Sequence, residues 1–536
     1  MNKYREILSR YGLENDREGI YAYYKLEKYY ITNFPRIDFL YSIRDVENNA
    51  YIRRIQIGVI KFDLQVEQLL SLKSFNKTLL SKSKYLFKGS TKDFDNFIQI
   101  ILALDNNKIV IAMSGFGNVG EDMYNLGNII YTENTIYPFK ELIWSGDKGH
   151  FLTKTNRIHI SKNGWNPSEI FDKFTNIFGK ISIIIMGYVT AGIFYKPILQ
   201  QRSSFPILYL LGSSGIGKST FSELILGLNG IDRSWATVNC DSNSTKIGID
   251  EKTQQFNSIP LVLNELDRGY YPMLKSRYDG HGAVRASSRK NQRTAERKVK
   301  GPTIAISVAL PDDIQVSSRS IIIDYENVKR DKLAFDQLHR EINKLSVFVL
   351  KVIQKITVED VISHSEEFKM TYADARLRSR ILESYSIIAG AMVALISVYP
   401  KINLTKNEIY DYCNLQMIKA EEFSDPLFPF VNRVKSILLG KESSLYTIYD
   451  EQFIYLNLPG LWKELKKGFK DKYFNGKGHS YIKTLLMESD YLARYDVDFR
   501  SKRLGVKGQQ VISHEKKINK TNYRCLVLVK KKFLTV

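Results

Sequence analysis

The sequence predicts an α/β chain. Its centre is a parallel-sheet core around a phosphate-binding loop, with an α+β unit before it, a helical lid after it and a winged helix at the C-terminal end. Three observations predict this. First, Gly212-Ser-Ser-Gly-Ile-Gly-Lys218-Ser219 fits the pattern Gly-x4-Gly-Lys-Ser/Thr. Second, an apolar run at 206–211 precedes it, and apolar positions at helical spacing follow over 220–226. Strand, glycine-rich loop and helix N-terminus together offer backbone N–H groups and the positive end of a helix dipole to a triphosphate. Third, another apolar run, Pro260-Leu-Val-Leu-Asn264-Glu265, ends in two polar residues about 45 positions later, as the next catalytic strand of such a core would.

Bulk properties set the frame. At 536 residues the chain exceeds one core, and about 150 residues per domain suggests three or four units. A net charge of +21 points to a polyanionic partner, nucleic acid or an anionic membrane. Cys240, Cys413 and Cys525 lie far apart with no CxxC pair. That spacing excludes a disulfide framework and a cysteine zinc site and suits a reducing, cytoplasmic setting. The N-terminal residues are charged and Tyr-rich, unlike a signal peptide. The apolar run 181–195, bounded by Lys180 and Lys196, is shorter than the ~20 residues of a membrane helix. It reads as a buried helix on the core sheet, so no membrane is expected and nucleic acid is the better reading of the charge.

Residues 1–155 read as an α+β domain, with strands at 51–57 and 108–113 and a helix at 93–102. Gly115-Phe-Gly117-Asn-Val-Gly120 fits the dinucleotide fingerprint GxGxxG, but a poor helix start follows it, and a glycine-rich hairpin is the reading adopted. Trp165-Asn-Pro-Ser168 is a cap-like helix start opening a helical linker over 156–204. The core spans 205–330, with 235–240 as an intervening strand. Helices of a lid and linker fill 331–440, broken near Tyr399-Pro400.

In the core, Gly212, Ser213, Ser214, Gly215, Ile216, Gly217, Lys218, Ser219 and Thr220 are expected to hold ATP. Lys218 would reach the β- and γ-phosphates and the Ser219 hydroxyl would bind Mg²⁺. Glu265 is placed to orient the attacking water. Asn264 stands where most such ATPases carry Asp; it can bond a water on Mg²⁺ but brings no charge, and Asp267 is a less well placed substitute. The strand in 301–311 is where an AAA+ ATPase places its sensor-1 residue, here Ser307. Arg319, at the lip of the apolar run 320–323, fits an arginine finger reaching a neighbour's γ-phosphate. On the lid, Arg380, with Arg376 as runner-up, fits sensor 2.

Between these strands lie Lys275, Arg277, Arg285, Arg289, Lys290, Arg293, Arg297, Lys298 and Lys300, opposed only by Asp279 and Glu296. About twenty residues beyond the core's needs suggest an inserted hairpin with arms at 283–288 and 294–299 and 289–293 at its tip. Arg285, Arg289, Lys290, Arg293 and Arg297 would then grip the phosphates of single-stranded DNA. Residues 441–536 hold twenty Lys and Arg against ten Asp and Glu. Helices near 459–467 and 479–488, then strands at 494–499, 509–513 and 524–529, read as a winged helix for duplex DNA. Lys483 would sit on its recognition helix, and Lys516, Lys517 and Lys520 on the hairpin joining the last two strands.

The phosphate loop, Asn264-Glu265, the basic hairpin, Ser318-Arg319 before an apolar strand and Arg380-Ile-Leu-Glu383 together resemble the MCM-like AAA+ helicases. The layout is similar to the self-loading replication initiator (Rep) helicases of staphylococcal pathogenicity islands and cassette chromosome mobile elements. The resemblance carries motifs over about 165–385 and is architectural elsewhere. It implies a homo-hexameric ring, 3′→5′ unwinding on DNA and origin recognition by the winged helix. Val308 departs from the sensor asparagine of many relatives. Two other readings stay open: an ATP-switched origin-binding protein without helicase activity, which Asn264 favours, and an AAA+ protein remodeller, for which Gly269-Tyr-Tyr271 is a weak pore loop.

Overall fold

The computed structural model describes residues 3–529 apart from 286–294, 374–378, 435–446, 469–478, 489–493, 498–507 and gaps of four residues or fewer. The chain divides into two compact units, Met1–Asn156 and Arg157–Val536.

The N-terminal unit is α+β. Its largest sheet runs Leu142–Ser145, Lys148–Leu152, Ile109–Met113, Asp38–Asp45, Ala50–Ile57, Ile60–Leu64. The three middle pairings mix hands: Ile109–Met113 is parallel to both neighbours, and Asp38–Asp45 is antiparallel to Ala50–Ile57. Helix Thr91–Ala103 starts at a capping box in which Ser90 and Asp93 bond each other's backbone N–H. Its Phe94, Phe97, Ile100 and Ile101 are buried at helical spacing beside Phe62, Phe75 and Phe87. The glycine-rich segment is a hairpin, as expected: Phe116–Gly120 pairs antiparallel with Met123–Asn125.

The second unit contains five parallel strands: β1 (Ile207–Leu211), β2 (Thr237–Asn239), β3 (Leu261–Asn264), β4 (Thr303–Ser307) and β5 (Ser320–Asp324). Their order is β2-β3-β4-β1-β5, all parallel. Nearly every residue of β1, β3, β4 and β5 is buried, the continuous apolar pattern of a sheet covered on both faces. Part of the expected strand 235–240 is helical instead: Asp232 caps helix Arg233–Ala236 by accepting the Ser234 N–H, and β2 begins at Thr237.

Helix Pro167–Phe178 opens on a capping box, Asn166 with Glu169, and Pro167 at its first turn. The apolar run forms helix Ile181–Ile193, buried except at Ile181. Its Tyr188 hydroxyl donates to the Thr303 carbonyl at 2.8 Å, anchoring it to β4. A Cβ on Gly187 would fall 2.6 Å from the Ile388 carbonyl, so only glycine permits this crossing with helix Ser379–Val398. Helix Ser379–Val398 is long and apolar enough to cross a membrane, but 72% of its apolar window is buried inside the fold. Helices Val358–Tyr372 and Lys406–Ser424 pack on it.

Toward the C-terminus, Thr447–Tyr449, Phe453–Leu456, Thr521–Val529 and Ser513–Ile518 form a sheet in that order, with helices Leu458–Gly468 and His479–Glu488 nearby in sequence. The expected pairing of 509–513 with 524–529 is corrected. Gly508–Val511 pairs with Arg494–Val497, and Ser513–Ile518 is the partner of Thr521–Val529. The pairing runs from Ser513↔Leu526 to Ile518↔Thr521. Lys516 and Lys517 therefore lie within the strand and not at the tip.

Candidate nucleotide site

β1 delivers the chain into residues 212–219. Gly212, Gly215 and Gly217 have φ of +155°, +77° and +98°, values that L side chains rarely adopt, so glycine at these positions lets the loop curl. Gly217 caps helix Lys218–Gly227. Lys218 is buried at 7% exposure, its Nζ donating to the carbonyls of Gly212 (2.6 Å) and Ser213 (2.8 Å). Ser213, Ser214 and Gly215 are exposed; Ile216, Gly217, Ser219 and Thr220 are half-buried. A carboxylate already sits on the loop: Glu326 accepts the Ser213 N–H at 2.9 Å and the Ser213 hydroxyl. An oxyanion accepting a loop N–H is the chemistry a phosphate oxygen would repeat.

The other half of the site comes from β3 and β4. Glu265 follows β3 with φ +57° and is exposed. A left-handed glutamate stores strain that the surrounding structure must hold, and the holding bonds are visible. Leu266 donates its N–H to the Ile306 carbonyl at 3.0 Å, and the Ser307 hydroxyl donates to the Leu266 carbonyl at 3.1 Å. The Ser307 carbonyl in turn accepts the Gly212 N–H at 3.3 Å. Ser307 is buried and touches both the phosphate loop and the Glu265 turn. Val308 after it is 58% exposed. The Asn264 amide donates to Asn239 Oδ1 at 3.0 Å across the β3–β2 pair. Asp267 accepts the Gly269 N–H at 2.7 Å, capping the turn Arg268–Tyr270.

Arg319 and Arg380 are not brought to this loop. The Arg319 carbonyl accepts the Ile207 N–H at the start of β1, the end of that strand opposite the loop. The five residues of β1 separate the two by about 17 Å at ~3.3 Å per residue. Arg319 is 7% exposed, bonded to the Gln315 carbonyl at 3.0 Å, 3.7 Å from Asp279 and 5.6 Å from the Tyr278 ring. The Tyr278 hydroxyl donates to the Arg380 carbonyl at 3.4 Å, and the Arg380 side chain is exposed. Tyr278 thus gathers both arginines at that end. Arg376 lies outside the described residues.

The basic segment begins as a hairpin: Val284 pairs with Glu296 and Arg285 with Ala295. Arg289, Lys290, Arg293 and Arg297 lie outside the described residues. Arg277 does not belong to that basic surface. It is 2% exposed, bonded to Thr253 Oγ1 at 2.5 Å and lying 3.5 Å from Asp250, and burial pushes its pKa down despite the nearby Asp250. Lys483 is exposed on helix His479–Glu488; Lys520 lies outside the described residues.

Sequence reasoning missed Glu326, Asn239 and Tyr278, and took Asp279 only as a charge opposing the basic run. For the first two a signal existed. Ligands of an open parallel sheet gather at the carboxyl ends of its strands, and Asn239 ends β2 while Glu326 follows β5 by two residues.

No family model and no curated protein matches the chain. Among solved structures it is similar to one described as "SCCmec type IV Cch - active helicase", at TM-score 0.56 and 12% identity over 98% of this chain and 99% of that one. It also matches the apo A form of the NrS-1 C-terminal region at TM-score 0.31 and 12% identity, over 91% and 95% of the two chains. At that identity the first likeness is one of fold, and it runs through nearly the whole length.

Proposed function

We propose that this chain is an ATP-dependent DNA helicase of the AAA+ class, acting as a homo-hexamer that loads at the origin of a mobile genetic element. The observation that carries the reading is Ser307, whose two bonds hold the phosphate loop and the left-handed Glu265 against each other. The full-length fold likeness to an active helicase and the basic hairpin begun by Val284–Arg285 and Ala295–Glu296 support it.

The residues present fit ATP and Mg²⁺. The glycine loop already holds one oxyanion, and Lys218 lies inside it. Loop N–H groups and Lys218 would bind the phosphates, and Ser219, supported by Asn264 through water, would hold the metal. ATP supplies the phosphoryl bond whose hydrolysis drives motion. Glu265 would orient a water and take its proton, and its strained turn sets where the carboxylate points. Arg319 and Arg380, at the opposite strand ends, would serve a neighbouring subunit's site, which makes the ring a requirement for turnover. The hairpin tip, with Arg289, Lys290 and Arg293, would move along one DNA strand, while Lys483, Lys516, Lys517 and Lys520 would contact duplex DNA. A cytoplasmic location goes with this reading.

The test is ATPase and strand displacement on forked DNA with each tail polarity. Wild-type protein is expected to displace one fork in an ATP-dependent way, and Lys218→Ala to lose ATPase and displacement together. Displacement of neither fork overturns the helicase. The Asn264–Asn239 contact favours a second reading, an ATP switch without turnover. Tight ATP binding with negligible hydrolysis on any DNA would select it.

A further inference from the structure

The N-terminal unit has no assigned role, yet its charge is strongly polarised. Residues 1–156 contain 21 Lys and Arg against 18 Asp and Glu, a nearly balanced total. Between 68 and 92, however, Lys73, Lys77, Lys82, Lys84, Lys88 and Lys92 occur with no carboxylate among them, so the rest of the unit is net acidic. All six are exposed, and among the described residues none forms an ion pair.

The fold places these lysines on one layer. Lys73 and Lys77 stand one turn apart on helix Leu72–Leu80, opposite the buried Phe75 and Leu79. Loop 81–90 folds against that helix because the Asn76 side chain bonds Phe87 in both directions, accepting its N–H at 2.8 Å and donating to its carbonyl at 2.9 Å. Asn33 holds the same loop from the other side, through the Lys84 carbonyl and the Leu86 N–H. Lys82 reaches the carbonyl of the exposed Lys61, 3.4 Å away. Tyr29, 45% exposed, donates to the Lys88 carbonyl at 3.4 Å and borders the layer with an aromatic ring. The nearby carboxylates are largely committed elsewhere: Asp63 to Arg54 and Asp93 to the Ser90 cap. Asp95 lies one turn from Lys92, so the centre of the surface is Lys73 to Lys88.

Unpaired lysines on a backbone held from both sides repel one another and gain most from a partner of repeating negative charge. We propose that this surface binds the phosphate backbone of DNA, as a contact separate from the nucleotide site, the basic segment 275–300 and the C-terminal region. The Tyr29 ring supplies a face on which a base can stack.

The test uses the full chain, without nucleotide, and a triple variant Lys77→Gln, Lys84→Gln, Lys88→Gln. Binding of fluorescent single-stranded and duplex oligonucleotides of random sequence is followed by anisotropy against salt. The variant is expected to bind about tenfold or more weakly at low salt. Its log–log salt slope should fall by about two, since each phosphate contact contributes roughly 0.7–0.9. Basal ATPase should stay unchanged, and the Lys→Arg triple variant should bind as wild type. Unchanged affinity and slope overturn the proposal. So does loss of binding to phosphatidylserine vesicles with DNA binding intact, an outcome to check because Leu70 and Leu80 are exposed beside the layer. Because DNA binding is measured without nucleotide and does not depend on turnover, failure of the helicase reading leaves this result standing, and the reverse holds too.

Discussion

Glu326 is an anion already bonded to the phosphate loop, and that has a measurable consequence. Its carboxylate accepts from both the backbone and the hydroxyl of Ser213, so a nucleotide that uses this loop, as proposed, meets a negative charge beside it. Charge-assisted bonds of this kind are stronger than neutral ones. Glu326→Gln keeps the shape and removes the charge, and ATP affinity measured by titration calorimetry should rise roughly three- to tenfold. An unchanged or weaker affinity would show that Glu326 helps to hold the nucleotide instead. Glu265 poses a related question of geometry. Its carboxylate is aimed by a left-handed turn, so Glu265→Gln should bind ATP normally while turnover falls about 10²–10⁴-fold, the range for loss of a general base. Single-turnover hydrolysis separates the two effects.

At the scale of elements, helix Tyr271–Tyr278 links the site to the opposite strand ends. It begins six residues after Glu265 and ends on Tyr278, which holds Arg319 and Arg380. Lys275 ties it to Asp313, the cap of the short helix Ile314–Ser317 just before Arg319. Partial burial pushes the Asp313 carboxyl up, but the bonds from Lys275 and the Gln315 N–H outweigh it, and its pKa lies below the ordinary value. A depressed carboxylate pKa adds stability that is fully present above the unfolded-state pKa, about 3.9 for Asp. It is lost as pH falls through the lower folded value. The Asp313→Asn variant should therefore melt below wild type at pH 7, and the gap should close as pH drops under about 4. A gap that persists in acid would assign the effect to the cap's hydrogen bond alone.

In the whole molecule, the phosphate loop, Ser307 and Glu265 lie at the carboxyl ends of the strands, whereas Arg319 lies at the amino end of β5 with Arg380 joined to the same place through Tyr278. If neighbouring subunits complete one another, two inactive variants should rescue activity when mixed. Lys218→Ala protein retains Arg319, and Arg319→Ala protein retains Lys218, so one interface type in a mixed ring is intact. ATPase of the mixture should exceed that of either variant alone, peaking near equal amounts. A mixture no more active than its components would mean that Arg319 acts inside its own subunit or only in packing against Tyr278.

Much of the site was legible in the sequence because it depends on local chemistry. Gly212 to Ser219 require a curled loop between a strand and a helix, Asn166-Pro167 a helix start, and the basic run two arms whose described ends, Val284–Arg285 and Ala295–Glu296, pair antiparallel. Asp232 was the local exception, since a cap overrode the strand pattern at Trp235. What sequence could not order were contacts between residues far apart in the chain. Strand order put β4 between β1 and β3, and so let Ser307 bond both halves of the site. Register put Arg319 at the strand ends away from the loop and brought Tyr278 to it, and loop packing by Asn76 and Asn33 gathered scattered lysines onto one layer. Spacing along the chain determines which turn or cap a segment forms. Which distant segments share an edge depends on how buried faces pack, and only the tertiary structure decided that.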